Sequence, residues 1–72
     1  MTTDEAIKWS RESFHLMITS KSYTEAYHFY GYSWGTINAF GLMGIINYLT
    51  ECRLKAEALE VLESVKEKVG YS

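Results

Sequence analysis

The chain is expected to be an all-α protein, a small bundle of about four helices arranged as two antiparallel helical hairpins. Three observations carry that expectation. Proline is absent from the 72 residues, and no long stretch alternates β-branched with polar residues, so the period of a strand is missing. Two Ser/Thr-x-x-Glu capping boxes, Thr2 with Glu5 and Ser22 with Glu25, each stand directly before apolar residues at helical spacing. Finally, no Asp, Glu, Lys or Arg occurs from Ala26 to Thr50, as expected of a segment buried at the centre of a small fold.

The first helix starts at the Thr2 box, with Asp4 and Glu5 at the positive end of the helix dipole. Ile7, Phe14, Met17 and Ile18 recur at helical spacing along it, and the segment 18–22, Ile-Thr-Ser-Lys-Ser, then interrupts the pattern with small polar residues. A second helix begins at Tyr23, with Tyr23, Ala26, Tyr27 and Tyr30 on one face. Gly31 to Gly35 should weaken it, because Gly costs ~1 kcal/mol relative to Ala inside a helix. The pattern predicts a third helix from Thr36 to about Glu51 and a fourth from about Lys55 to Val69. In the fourth, Ala58, Val61, Leu62, Val65 and Val69 face inward, while Glu57, Glu60, Glu63, Lys66 and Lys68 face outward. Gly70 suits the C-terminal cap. One continuous helix from Thr36 to Val69 is the alternative, since no Gly, Pro or Asn separates its two halves. The expected organisation is a single domain over residues 1–72, with hairpin one at about 3–33 and hairpin two at about 36–69.

Size limits what such a chain can do. A domain this short buries only about 60% of the surface its unfolded form exposes. Cys52 is the single cysteine, so no disulfide within the chain can compensate, and His15, His28 and Cys52 have no metal-ligand spacing. Packing, self-association or a partner must supply the stability. A net charge of -2 disfavours nucleic acid as a partner. The uncharged centre has an unbroken apolar run only from Leu42 to Ile46, far short of the ~20 residues of a membrane span. The lone thiol and the lack of a signal-peptide pattern suggest a cytoplasmic protein.

A shift of 32 residues partly superposes the sequence on itself. Glu25 and Ala26 fall on Glu57 and Ala58, Phe29 and Tyr30 on Val61 and Leu62, Phe14 on Ile46, Met17 on Leu49, and Lys21 on Arg53. A period near this length with two helices per unit marks helical-hairpin repeats, and it makes Arg53 a turn, as Lys21 is. Tyr23, Ala26, Tyr30 and Ser33 resemble the core of the second helix of a tetratricopeptide (TPR) unit. Ala58, Leu62 and Val65 are similar, and also resemble the second helix of a pentatricopeptide unit. The first helices depart from the TPR pattern: Ser10, Ser13 and Phe14 replace two apolar residues and a glycine, and Ile46 replaces the second unit's glycine. Residues 6–30 also resemble the first two helices of the three-helix MIT domain. Both families bind peptides. The TPR resemblance implies a groove lined by Lys8, Arg11 and His15 on the first helix and by Phe40, Met43 and Asn47 on the third. That mixture suits an acidic extended peptide or a chain terminus; an ordinary solvated face at Lys8, Arg11 and Glu12 is the plain alternative.

The segment from Tyr23 to Trp34 is half aromatic. Tyr23, Tyr27 and Tyr30 share the stripe with Ala26 and are expected in the core, with Phe29 at its edge. Base stacking would need a basic groove beside the rings, and only Lys21 and Glu25 are near. Tyr32 and Trp34, beyond the expected helix end, are candidates for a contact surface. Gly41 and Gly44, with Ala39, make a smooth strip for packing inside the bundle or at a homodimer seam.

Catalytic groupings are missing from the sequence. Cys52 lies beside Glu51 and Arg53 without a local His, His15 and His28 stand apart, and no phosphate loop or His-Glu-x-x-His motif occurs. The expectation is therefore a non-catalytic interaction module, without cofactor, that binds a peptide or protein and possesses an option to homodimerise. A stoichiometric inhibitor or adaptor of a host enzyme complex, encoded by a phage or mobile element, is the alternative. A DNA-binding regulator is disfavoured by only two arginines and an acidic C-terminal helix.

Overall fold

The computed structural model describes residues 1–70; Tyr71 and Ser72, which the expected domain includes, lie outside the described residues. All of the regular structure among them is helical: α1 (Thr3–Ile18), α2 (Tyr23–Leu42) and α3 (Tyr48–Val69). There are three helices rather than the expected four. Helix α2 runs straight through Gly31 and Gly35, and the expected third helix does not exist as a unit. Its first residues end α2 and its last residues begin α3, while Arg53 lies inside α3 instead of in a turn. The continuous helix from Thr36 to Val69 is not formed either.

Both Thr2 and Ser22 cap their helices, but only the first position forms the full reciprocal box. The Thr2 hydroxyl accepts from the Glu5 amide at 3.1 Å, and the Glu5 carboxylate accepts from the Thr2 amide at 2.8 Å. At the start of α2 the Ser22 hydroxyl accepts from the Glu25 amide at 3.2 Å. The break between α2 and α3 comes at residues 43–47. There Gly44 takes φ +73, a left-handed conformation that favours glycine, and the amides of Gly44 and Ile45 return to the carbonyls of Gly41 and Phe40. Asn47 then caps α3, its side-chain oxygen accepting from the Thr50 amide at 2.8 Å.

Cross-helix contacts fix the directions. Ser13 meets Ser33, and Gly41, Asn38 and Trp34 on α2 face Glu51 and Lys55 on α3, so α2 runs against α3. Thr3 donates to the Ile45 carbonyl at 2.8 Å and Arg11 pairs with Glu57, so α1 runs alongside α3.

The core is Ala6, Phe14 and Met17 from α1, Ala26, Ile37 and Phe40 from α2, Ile46 from the turn, and Leu54, Ala58, Leu62 and Val65 from α3. Small residues let the helices approach closely. Ser10, Ser13 and Ser33 are buried, and each hydroxyl is satisfied: Ser10 donates to the Ala6 carbonyl at 2.9 Å, Ser13 reaches the Ser10 carbonyl at 2.5 Å, and the Ser13 and Ser33 hydroxyls are 2.8 Å apart. Two expectations about the core are corrected. Ile18 is exposed, because the α1 stripe turns through Ser10, Ser13 and Met17 instead. Tyr27 is also exposed, while Tyr23, Phe29 and Tyr30 are half-buried against the core. The buried stripe of α2 follows Ala26, Ser33, Ile37 and Phe40, which puts Tyr27 one position off it.

Candidate protein-binding surface

An open groove of about 430 Å³ lies between the second half of α1 and the second half of α3. Phe14 and Ile18 line it from α1, and Val61 and Val65 line it from α3. Glu57, Glu60, Ser64 and Lys68 also border it. Glu57 is tied across the upper end by Arg11, whose Nε and one terminal nitrogen donate to the two carboxylate oxygens at 3.1 Å each. That two-pronged bond, and the charge of Glu57, raise the Arg11 pKa further, so the guanidinium stays protonated. The groove thus has an apolar floor, a charged α3 border and a fixed ion pair at one end.

None of the residues chosen from sequence lines this groove; one of them, Arg11, contacts a residue that does. Arg11 closes it through Glu57, and His15, exposed and four residues further on, shares a helical side with Arg11 and Ile18. Lys8 lies a turn earlier, exposed, 3.9 Å from Glu12. The other five lie elsewhere. Phe40 is buried in the core at 7% exposure, so its ring packs internally. Asn47 is the α3 cap. Met43 is exposed in the turn, and Tyr32 and Trp34 are exposed on α2. Lys8, Arg11 and His15 are therefore not gathered with Phe40, Met43 and Asn47 into one groove, because the helix that was to carry the second set is not formed. The groove's α3 border was legible in the sequence only as the inward Val61 and Val65; nothing in the spacing pointed to a gap beside them.

A second cluster joins α2 to α3. The Lys55 ammonium lies 3.9 Å from the centroid of the Trp34 ring, 2.7 Å from the Glu51 carboxylate and 3.2 Å from the Asn38 side-chain oxygen. A methyl group at Gly41 would collide with the Glu51 carboxylate, so the glycine makes room for this pair. Cys52 is a free, exposed thiol. The phenol of Tyr48, one turn before it, titrates above its ordinary range because it hydrogen-bonds to Cys52 and because nearby negative charge opposes its ionisation.

Among the described residues, no group of three or more His, Cys, Asp or Glu side chains is placed to hold a metal ion. No helix among them is long and apolar enough to cross a membrane. No family model matches the chain, and neither a curated protein nor a solved structure is significantly similar to it.

Proposed function

We propose that this is a non-catalytic interaction module that holds a peptide or protein segment in the groove between α1 and α3. The observation that carries the proposal is the apolar floor of Phe14, Ile18, Val61 and Val65 beside charged residues. A segment with two or three apolar side chains on one side would gain by burying them there, at about 25 cal/mol per Å² of apolar area removed from water. The border of Glu57, Glu60 and Lys68 would set its register through polar contacts. The Arg11–Glu57 pair supports a preformed end to the groove, which lowers the ordering cost of binding.

The test is a selection of displayed random peptides on the immobilised protein, followed by chemical-shift mapping of the enriched sequences. Peptides that perturb Phe14, Ile18, Val61 and Val65, and lose binding when the groove is filled by Ser64→Trp, are the expected result. Enriched peptides that map away from α1 and α3, or bind Ser64→Trp equally well, would overturn the assignment.

A further inference from the structure

We propose that the outer side of the α2–α3 pair, away from α1, is a homodimer interface that receives the same surface of a second copy. This inference is independent of the peptide groove, which lies on the α1 side.

Two stripes make up the surface. On α2, Tyr27, Gly31, Trp34 and Asn38 recur at four, seven and eleven residues, and on α3 Tyr48, Cys52, Lys55 and Leu59 do the same. Lys55 joins the stripes by its contacts with Trp34 and Asn38. The large apolar side chains here are uncovered: Tyr27 is 57%, Trp34 41%, Tyr48 76% and Leu59 45% exposed, and Leu42 continues the surface at 82%. At roughly 500 Å² the surface is in the range of the largest apolar patch on a monomer, ~300–600 Å², and such patches are often functional.

Charge identifies the occupant. A two-fold interface sets a patch against itself, so any net charge on it would repel its own image. Helix α2 has no charged residue after Glu25. On the α3 stripe the charges are paired: Lys55 with Glu51 at 2.7 Å and, where the stripe continues, Lys66 with Glu63 at 4.0 Å. The surface is therefore apolar and neutral, which suits a copy of itself and offers nothing to a charged partner. Its shape agrees. A Cβ at Gly31 or Gly35 would meet no atom within 4 Å, so nothing in the chain itself covers the backbone beside Tyr27 and Trp34, and a second copy can approach it closely.

Area sets the strength. From Tyr27 to Leu42 the surface is ~24 Å long at 1.5 Å per residue, and two packed helices make it ~20 Å wide. Roughly 500 Å² per copy is below the ~800 Å² per partner of a standard stable complex. The dimer should therefore be reversible, dissociating on dilution through the micromolar range.

Light scattering and sedimentation over a dilution series test the proposal, with wild type, Gly31→Lys and Ser64→Lys compared. The expected result is a wild-type mass approaching twice 8.3 kDa at the concentrated end and falling on dilution. Gly31→Lys should stay at the monomer mass throughout while keeping its helical circular dichroism, since the new side chain enters open space. Ser64→Lys, on the α1 side, should dimerise as wild type does. A wild type that remains a monomer at every concentration overturns the proposal. So does a Gly31→Lys protein that is folded and as dimeric as wild type. Peptide binding in the α1–α3 groove should survive Gly31→Lys, so failure of one reading leaves the other standing.

Discussion

Lys55 sits over the ring of Trp34, with its ammonium 3.9 Å from the ring centroid, and the same ammonium neutralises Glu51. Both side chains of the ion pair are about four-fifths covered, at 20% and 18% exposure. This places the pair between a surface salt bridge, worth ~0–1 kcal/mol, and a fully buried one whose breakage costs ~3–5 kcal/mol. The ring contact adds about 1 kcal/mol.

Lys55→Met should therefore lower unfolding stability by about 1–2 kcal/mol, since it leaves the Glu51 carboxylate covered without its cation. The double variant Lys55→Met with Glu51→Gln should lose less than Lys55→Met alone. Urea titrations at one protein concentration measure both. A double variant weaker than the single one would mean that Glu51 is not the group left stranded.

The glycines should respond in opposite directions. Gly31 and Gly35 lie inside α2 with open space at their Cβ positions, so Gly31→Ala and Gly35→Ala should each stabilise by about 0.5–1 kcal/mol. At Gly41 the same helical gain is offset by displacement of Glu51 from Lys55, and the net change should be near zero or unfavourable. Gly44→Ala should destabilise by about 1 kcal/mol or more, because φ is +73 there. Thermal or urea midpoints of the four variants check the order.

Those same glycines explain why the sequence was legible only in part. The capping residues Thr2 and Ser22 were readable because a cap is local chemistry, satisfied within three residues. The inward residues of α3 were readable because Ala58, Leu62 and Val65 alternate with charges. Gly31 and Gly35 read as a break, yet a penalty of ~1 kcal/mol each is small beside the burial of Ser33, Ile37 and Phe40 on the same helix. Asn47 was read as a groove residue, although an Asn ahead of a helical run is also a cap signal, and Gly44 just before it marked the turn. The 32-residue shift matched Ala26 with Ala58, both fully buried, but it also matched buried Met17 with Leu49, which is 76% exposed. Similarity of residue type could not reveal that difference in environment. The candidate groove was not legible as such: its α1 wall, Phe14 and Ile18, read only as part of the inward stripe, and the wall across the gap depended on which helix packed beside α1, which no local pattern encodes.

The buried serines should tolerate no enlargement. Ser10 and Ser33 are fully covered, and Ser13 links α1 to Ser33 by a hydroxyl contact of 2.8 Å. Ser10→Leu would place a large apolar side chain at a fully covered position, and it should destabilise by about 1–3 kcal/mol through overpacking. Ser33→Ala should cost about 1 kcal/mol, since Ser13 keeps its bond to the Ser10 carbonyl and only the second contact is lost. Denaturant midpoints distinguish the two. A stabilising Ser10→Leu would mean that α1 and α2 are farther apart than the serine contacts imply.

The acid limb of the stability profile should report the first capping box. The Glu5 carboxylate accepts the Thr2 amide and is also bonded by the Thr2 side chain, and these bonds, the backbone one first, hold its pKa below the ordinary 4.5. A carboxylate with a depressed folded pKa contributes stability that is full above the unfolded value and disappears as pH falls through the folded value. Wild type should therefore lose stability on acidification below about pH 4.5, beyond what other carboxylates cause. Glu5→Gln keeps an acceptor for the Thr2 amide but cannot titrate, so its acid limb should be flatter. Thermal midpoints of the two proteins, measured from neutral pH downward, should converge as Glu5 becomes protonated. Parallel curves would mean that the carboxylate does not hold the Thr2 amide in solution.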